Sequence, residues 1–564
     1  MSISPGRGSS RMTLAAAGIG AVSGLVEGLQ LNLARGMPTV LAPYKVSADI
    51  LWLAPALNAL CFSVAGALLV LLAVGRAARH AERIVASGLV GAAIAINLYT
   101  LKLIHPGAAL FLALAIGVAL WRLPAGTVQG LLRRAGQVAL LTPLLVLAVF
   151  GAVRMQRTLG ERRATATLSP ARADAPNVLV LLLDTVRRDR FDAARGSART
   201  PRLHAFSSRA TWFANAWSTT SWSLPSQASV LTGLHPHQHG ADWPALELKP
   251  ELKTLPERFA AAGYVTGGFS GNAAWIVPEH LGRGFHRFRV YSLEDLARRT
   301  LIGRALDRPL IAMGWHAAGR GRPAASVSRE LLDFLDARGS RPFFAYLCYM
   351  DVNRAFNRRR LGHPAWRSGP DVSSMVAAYD GALTDLDAEL GSLLDRLRAR
   401  GLLAKTIVVI LSDHGESFPG GVPGDHEPAG HGTSLFPEQV RVPMWIAPVG
   451  SVSGDTVTAD VSIRDLAATV ARLAGIPSTG LGGRPLLGPA APPDRDVLAT
   501  LRYAGREENA LVSERWLLIE HAPGAPAPLS LFDLLQDPLA QVDRPADSVR
   551  AARLRARLRR ALEE

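Results

Sequence analysis

Two cysteines in 564 residues rule out a disulfide framework and a cysteine-based metal site. Cys61 lies in an apolar run and Cys348 in a strand-like one, settings poorly suited to pairing. Acidic side chains are scarce relative to basic ones, 46 against 62, giving a formal net charge of +16. Such a charge would suit nucleic acid, but no nucleic-acid reader motif is present, so that partner is not expected. No internal repeat is visible. The length exceeds what one hydrophobic core serves, so at least two domains are expected.

What the N-terminal part does have is apolar sequence. Segments run from Thr13 to Leu33, Ile50 to Val74, Ile84 to Leu103, Ala108 to Trp121 and Gln137 to Val153. Most approach the ~20 residues that span a bilayer, and the fourth is short. They predict an α-helical transmembrane domain over residues 1–153. Arg7 and Arg11 precede the first segment, Arg76, Arg79 and Arg83 follow the second, and Arg122, Arg133 and Arg134 follow the fourth. The intervening loops carry mainly Arg35, Lys45 and Lys102. Positive-inside reasoning puts the N-terminus in the cytoplasm and, after five spans, everything beyond Val153 outside a plasma (inner) membrane. Glu27 near the end of the first span, with Gln30 and Asn32, reads as a group at the outer interface. Residues 154–174, rich in arginine and alanine, read as a linker that could touch anionic lipid.

From Ala175 onward the sequence alternates strand-like and helix-like segments. Asn177 to Leu183 and Thr406 to Ser412 are apolar throughout, as in parallel strands buried on both faces, and each is followed by an aspartate. Leu255 to Gly263 reads as a helix with a C-cap glycine, Tyr264 to Phe269 and Arg341 to Met350 as strands, and Tyr379 to Leu397 as a helix. The expected architecture is α/β, a large doubly wound sheet over 175–490, with a small C-terminal subdomain of short strands and a basic helix over 491–564.

Open α/β sheets gather ligands at the carboxyl ends of their strands, so Asp184, Asp413 and His414 are brought toward one edge. Between them lies Ser221-Trp-Ser-Leu-Pro-Ser-Gln-Ala-Ser-Val-Leu-Thr-Gly233, with Ser223 available as a nucleophile. Carboxylates, an imidazole and a hydroxyl in this order suggest a metal-dependent esterase.

The order of motifs is more specific than any one of them. Leu183-Asp-Thr-Val-Arg-Arg-Asp189, Ser223-Leu-Pro-Ser226 with Leu231-Thr-Gly233, Pro236-His-Gln-His-Gly240, Ser412-Asp-His-Gly-Glu-Ser417 and Gly430-His-Gly432 resemble the sulfatase family of the alkaline phosphatase superfamily. Arg441-Val-Pro443 and Leu531-Phe-Asp-Leu-Leu-Gln-Asp-Pro538 match late landmarks of the same pattern. The resemblance implies that Asp184, Asp413 and His414 hold a divalent metal. Manganese or zinc suits histidine beside carboxylates better than calcium or magnesium. It implies Ser223 as nucleophile toward a sulfate or phosphate ester, and His431 as a contact to substrate or leaving group. Thr185 reads as a hydroxyl near the metal or a helix N-cap, and His235, His237 and His239 as loop-ordering groups.

Three departures from the family pattern stand out. Many members carry at the nucleophile position a cysteine, sometimes a serine, that is oxidised to formylglycine, with arginine after the Pro-Ser pair; this chain has Ser223 and Gln227. A double aspartate is replaced by Asp184-Thr185. Asn353 stands where members often have histidine, and with Gln227 it is expected at the substrate. Several membrane spans before an unmodified hydroxyl nucleophile also resemble the phosphoglycerol and phosphoethanolamine transferases, whose substrates are lipid headgroups. A second reading is thus a lipid-dependent transferase, and a third an inactive relative that binds an anionic glycan or lipid.

Overall fold

A computed structural model describes the chain apart from residues 1–4, 36, 38–44, 73–79, 102–104, 192–197, 313–321, 363–371, 419–424, 427, 453, 489–494, 523, 525–526 and 545–547. Arg76, Arg79, Lys102 and the expected 490/491 boundary lie outside the described residues. The chain divides into two compact units, Met1–Arg162 with Tyr291–Arg320, and Arg163–Val290 with Gly321–Glu564.

The first unit holds α1 (Pro5–Arg35), α2 (Ile50–Leu72), α3 (Ala81–Leu101), α4 (Pro106–Trp121) and most of α5 (Ala125–Ala166). Four of these have the length and hydropathy to cross a membrane, and α4, with 16 residues, is shorter. Small residues let α1 and α2 approach closely: a Cβ on Gly24 would collide with the Ala54 carbonyl. Residues 154–166, read as the start of a linker, continue α5 as helix because alanine and arginine are good helix formers, and the boundary between the two units falls within them. Glu27 is fully buried, and its carboxyl group accepts hydrogen bonds from Asn58 Nδ2 at 3.1 Å and Leu301 N at 2.6 Å. These donors, from distant parts of the chain, satisfy a polar group that would otherwise be buried without a partner.

The second unit is built on a nine-stranded sheet in the order β4-β3-β5-β1-β6-β8-β2-β7, with β9 beside β2. The strands are β1 (Asn177–Leu183), β2 (Thr211–Trp217), β3 (Val265–Ser270), β4 (Arg287–Arg289), β5 (Phe343–Tyr349), β6 (Thr406–Ser412), β7 (Arg441–Val442), β8 (Met444–Ala447) and β9 (Thr456–Ser462). From β4 to β6 all neighbours are parallel; β8 runs antiparallel to β6, and β2 antiparallel to β8, so the sheet is mixed. Along β1 the period of two is explicit. Val178, Val180 and Leu182 enter the core on one face, while Leu179, Leu181 and Leu183 enter the core on the other.

Helices cover both faces. Ser223–Thr232 (α6) is buried along its whole length. Val372–Ala399 (α7) sets Met375, Tyr379, Leu383, Leu386, Leu390, Leu393 and Leu397 against the opposite core, a helical apolar stripe. C-terminal strands β10 (Val497–Tyr503), β11 (Arg506–Ser513), β12 (Trp516–Glu520) and β13 (Leu529–Asp533) form an antiparallel sheet. The helix Ser548–Glu563 (α8) closes it, packing Leu554 and Leu558 on Leu498, Leu511 and Leu518. Thr500 N donates to Thr219 O at 2.9 Å, which ties β10 to the stretch just before α6.

Candidate active site

β1 and β6 are adjacent and in register, Leu183 beside Ser412, so the residues that follow them, Asp184 and Asp413, emerge side by side at the carboxyl edge. Ser223 opens α6, whose N-terminus adds partial positive charge where an anionic ester would sit. The Ser223 hydroxyl lies 3.1 Å from His414 Nε2 and 3.4 Å from Asp184 Oδ2. Asp184, Asp413 and His414 are completely buried, and one donor atom of each lies within 4.8 Å of the others.

The supporting bonds are directional. His414 Nδ1 lies 2.9 Å from Gly415 O, a carbonyl that only an N–H can satisfy, which turns the lone pair of Nε2 toward the site. Asp413 Oδ1 accepts from His414 N at 2.9 Å and Thr185 N at 3.3 Å, while Oδ2 accepts from Gln227 Nε2 at 2.8 Å. Asp184 accepts from Asn353 Nδ2 at 2.9 Å and Asn272 Nδ2 at 3.1 Å. Burial, and then the Asp413 charge, push the Asp184 carboxyl up to about 7, and burial pushes Asp413 up to about 6. Burial, with the nearby His431, lowers His414 to about 4, so it is neutral at pH 7. Two carboxylates that resist ionising beside a neutral imidazole lone pair are suited to a divalent cation.

His431 sits beside this set, its ring centroid 4.6 Å from that of His414. Its Nδ1 donates to Glu416 Oε2 at 2.9 Å. Burial pulls its pKa down, but the Glu416 charge and hydrogen bond outweigh that and raise it to about 9. His431 is therefore a cation at neutral pH, able to hold an anion or give up a proton.

Several residues take different places from those expected. Gln227 is fully buried, with Nε2 on Asp413 and Oε1 accepting from Tyr346 OH at 2.8 Å, so its amide braces a carboxylate. Asn353 likewise spends its amide on Asp184. Thr185 neither caps a helix nor points its hydroxyl at the donors. Its φ is +64°, a strained value for a β-branched residue, and its hydroxyl donates to Asp184 O at 2.7 Å. His239 does order a loop: Nδ1 accepts from Ala241 N at 3.1 Å and Nε2 lies 3.1 Å from Pro225 O.

Asn272 and Glu416 went unassigned in the sequence. Asn272 lies two residues beyond the β3 strand and Glu416 lies inside the Ser412–Ser417 motif, so nearness to a strand end was the available signal. Arg187 was also missed. Its buried guanidinium grips Asp189 and Asp425, and donates to Glu416 O at 3.0 Å.

The model of the family described as Sulfatase matches residues 176–476, more than half of the chain. The chain belongs to the sulfatase family. It thereby joins the alkaline phosphatase superfamily of ester hydrolases. The match holds Asp184, Ser223, Asp413, His414 and His431. Human N-sulphoglucosamine sulphohydrolase is 25% identical over 304 residues, which are 46% of this chain and 56% of that protein. Arylsulfatase A of Bos taurus is 27% identical over 355 residues, 56% of this chain and 67% of that one. The chain thus spans little more than half to two thirds of these relatives. The phosphonate monoester hydrolase of Agrobacterium radiobacter shares the fold with a TM-score of 0.53 at 19% identity, over 69% of this chain and 95% of that one.

Proposed function

We propose that this sulfatase-family protein is a metal-dependent hydrolase of sulfuric or phosphoric esters that uses unmodified Ser223 as nucleophile. In this reading residues 175–490 form the catalytic domain and 491–564 a C-terminal subdomain, held outside the plasma membrane by the apolar helices. One observation carries it: the Ser223 hydroxyl lies against Asp184 and His414, within the only group of three metal-type donors found among the described residues.

Asp184, Asp413 and His414 would hold the ion, and an imidazole beside two carboxylates favours manganese or zinc over calcium or magnesium. When bound, a divalent ion supplies Lewis-acid activation of the hydroxyl and neutralises charge on the ester oxygens. The rest falls to the chain's own residues. Ser223 gives up its proton to solvent and its Oγ bonds to sulfur or phosphorus. The bond to the leaving oxygen breaks, and His431 protonates that oxygen. Water then attacks the covalent ester and gives a proton to His431. The Ser223 oxygen departs and takes a proton from solvent. Gln227, Asn353 and Asn272 keep the two carboxylates in place throughout.

The transferase reading keeps the same first half and replaces water with the hydroxyl of another acceptor, with a lipid headgroup as donor. It is favoured by the four helices of membrane length, since a plain hydrolase needs one or none. The inactive-binder reading, motivated by Gln227 and Asn353, keeps the same metal site, with their amides on Asp413 and Asp184, and differs in having no turnover.

The test is turnover by the full-length protein in detergent, loaded with manganese, on an aryl sulfate and an aryl phosphodiester. Activity on either should vanish on chelation, return with manganese, and be lost in Ser223→Ala. Turnover that survives both chelation and Ser223→Ala would sink the proposal.

A further inference from the structure

A basic cavity lies at the far end of the nucleophile helix. Ser223 opens α6 and Thr232 closes it, so at 1.5 Å per residue that end is about 15 Å from the reacting centre. Beyond it a cavity of about 510 Å³ is lined by five arginines, Arg464, Arg484, Arg495, Arg557 and Arg560. The short helix Pro236–His239, the turn Ser462–Asp465, the start of β10 and the end of α8 bring them together. None of the metal-type donors, Ser223 or His431 lines it.

Three acidic residues share the cavity, Asp465, Asp496 and Glu564, and two of them are already engaged. Asp496 accepts from Arg557 Nε at 2.8 Å and Arg557 Nη2 at 2.6 Å. Asp465 accepts from Ser462 N at 3.1 Å and Arg484 N at 2.9 Å, and pairs with Arg495. Arg464, Arg484 and Arg560 are left with Glu564 alone, which is exposed and whose backbone oxygen is held by Gln238 Nε2 at 2.9 Å. The Arg464 guanidinium donates to a backbone carbonyl, Gly233 O, at 3.4 Å. Arg484 and Arg560 bond to no carboxylate among the described residues.

The backbone enforces this crowding. Gly483 has φ +80°, and a Cβ there would come within 2.8 Å of Arg464 O, so only glycine lets the Arg484 segment lie on the Arg464 turn. Burial, and then the Arg484 charge, lower the Arg464 pKa, and burial, with Arg464, brings Arg495 down to about 10. Two inward polar atoms have no hydrogen-bond partner: Arg495 Nε and Nδ1 of His235, a buried residue of the same lining.

Excess positive charge beside unpartnered buried polar atoms is the complement of an anion. A guanidinium is a rigid fork of donors that matches the oxygens of a phosphate or sulfate group. Several forks from different elements suit a tetrahedral oxyanion, whose oxygens point in different directions, better than a planar carboxylate. We propose that this cavity is a second, non-catalytic site for a doubly charged tetrahedral oxyanion, either inorganic phosphate or the phosphomonoester headgroup of a lipid. Arg464 grips it within, and the exposed Arg484 and Arg560 draw it in at the rim. The site stands independently of the hydrolase reading.

The test is calorimetric titration of the full-length protein in detergent, stripped of metal, with inorganic phosphate at constant ionic strength. Arg464→Gln should weaken binding about tenfold, and Arg484→Gln and Arg560→Gln about three- to tenfold each. Glu564→Gln removes the competing carboxylate and should tighten binding severalfold. Arg553→Gln makes the same charge change on α8 outside the cavity and should leave affinity within about twofold. The exposed positions of Arg484 and Arg560 keep the test valid if Arg464→Gln does not fold. Water-soluble dihexanoyl phosphatidic acid separates the two sources. Tighter binding than phosphate, with the same arginine dependence, assigns the site to a lipid headgroup, and equal or weaker binding assigns it to the free ion; both support the site. No binding of either probe, affinity unchanged in Arg484→Gln and Arg560→Gln, or an equal loss in Arg553→Gln would overturn it.

Discussion

The Gln227 amide donates to Asp413 Oδ2 at 2.8 Å, so the residue standing where many sulfatases carry arginine supports a metal-type carboxylate. Removing it leaves Asp413 Oδ2 without this donor. Gln227→Leu should weaken manganese binding by a factor of about ten to a hundred, while Gln227→Glu adds a like charge beside Asp413 and should weaken it further unless it is protonated. Calorimetric titration of the metal-stripped protein measures both. Unchanged affinity in Gln227→Leu would mean that this amide does not position the ligand.

Stability of the metal-free protein should fall as pH rises. Folded Asp184 and Asp413 keep their protons up to about 7 and about 6, whereas unfolded aspartates lose theirs near 3.9. Between roughly pH 4 and 7 the folded state binds more protons than the unfolded state, so raising pH favours unfolding. A bound cation removes this penalty. The rise in Tm on adding manganese should therefore be larger at pH 8 than at pH 5, with a gain of about 2.7 kcal/mol at a hundredfold excess over Kd. Equal shifts at both pH values would contradict the assignment of these two carboxylates.

Glu416 keeps His431 protonated. Without its charge, burial would dominate and lower the His431 pKa from about 9. Glu416→Gln should move the alkaline limb of the kcat/KM profile to lower pH by about one unit or more, with the acid limb little changed. An alkaline limb that stays in place would remove His431 from the proton-donor role.

Much of the fold was legible because buried strands write themselves as apolar runs. The strands Asn177–Leu183 and Thr406–Ser412 were readable as apolar runs starting at Asn177 and Thr406, and the acid at the end of each gave the edge where the candidate site lies. Ser223 and His431 were singled out from motif order, and both lie beside the Asp184, Asp413 and His414 group. The bonds of Gln227 and Asn353 to carboxylates were not legible, because sequence gives a residue's neighbourhood but not the direction of its amide. The partners of Glu27 were not legible because Asn58 and Leu301 lie 31 and 274 residues away in the chain. The helical character of 154–166 was hidden by composition that serves a linker equally well.

The central claim is that Ser223 itself, unmodified, carries the ester group during turnover. Manganese-loaded protein turning over an aryl sulfate or aryl phosphodiester would be quenched in acid, digested, and the peptide containing Ser223 weighed by mass spectrometry. The account predicts a serine peptide that gains one sulfuryl or phosphoryl group only in the presence of substrate, with no such gain in Ser223→Ala. A peptide already lighter by two hydrogens, as formylglycine formed from serine would be, or turnover with that peptide unlabelled and Ser223→Ala still active, would contradict it.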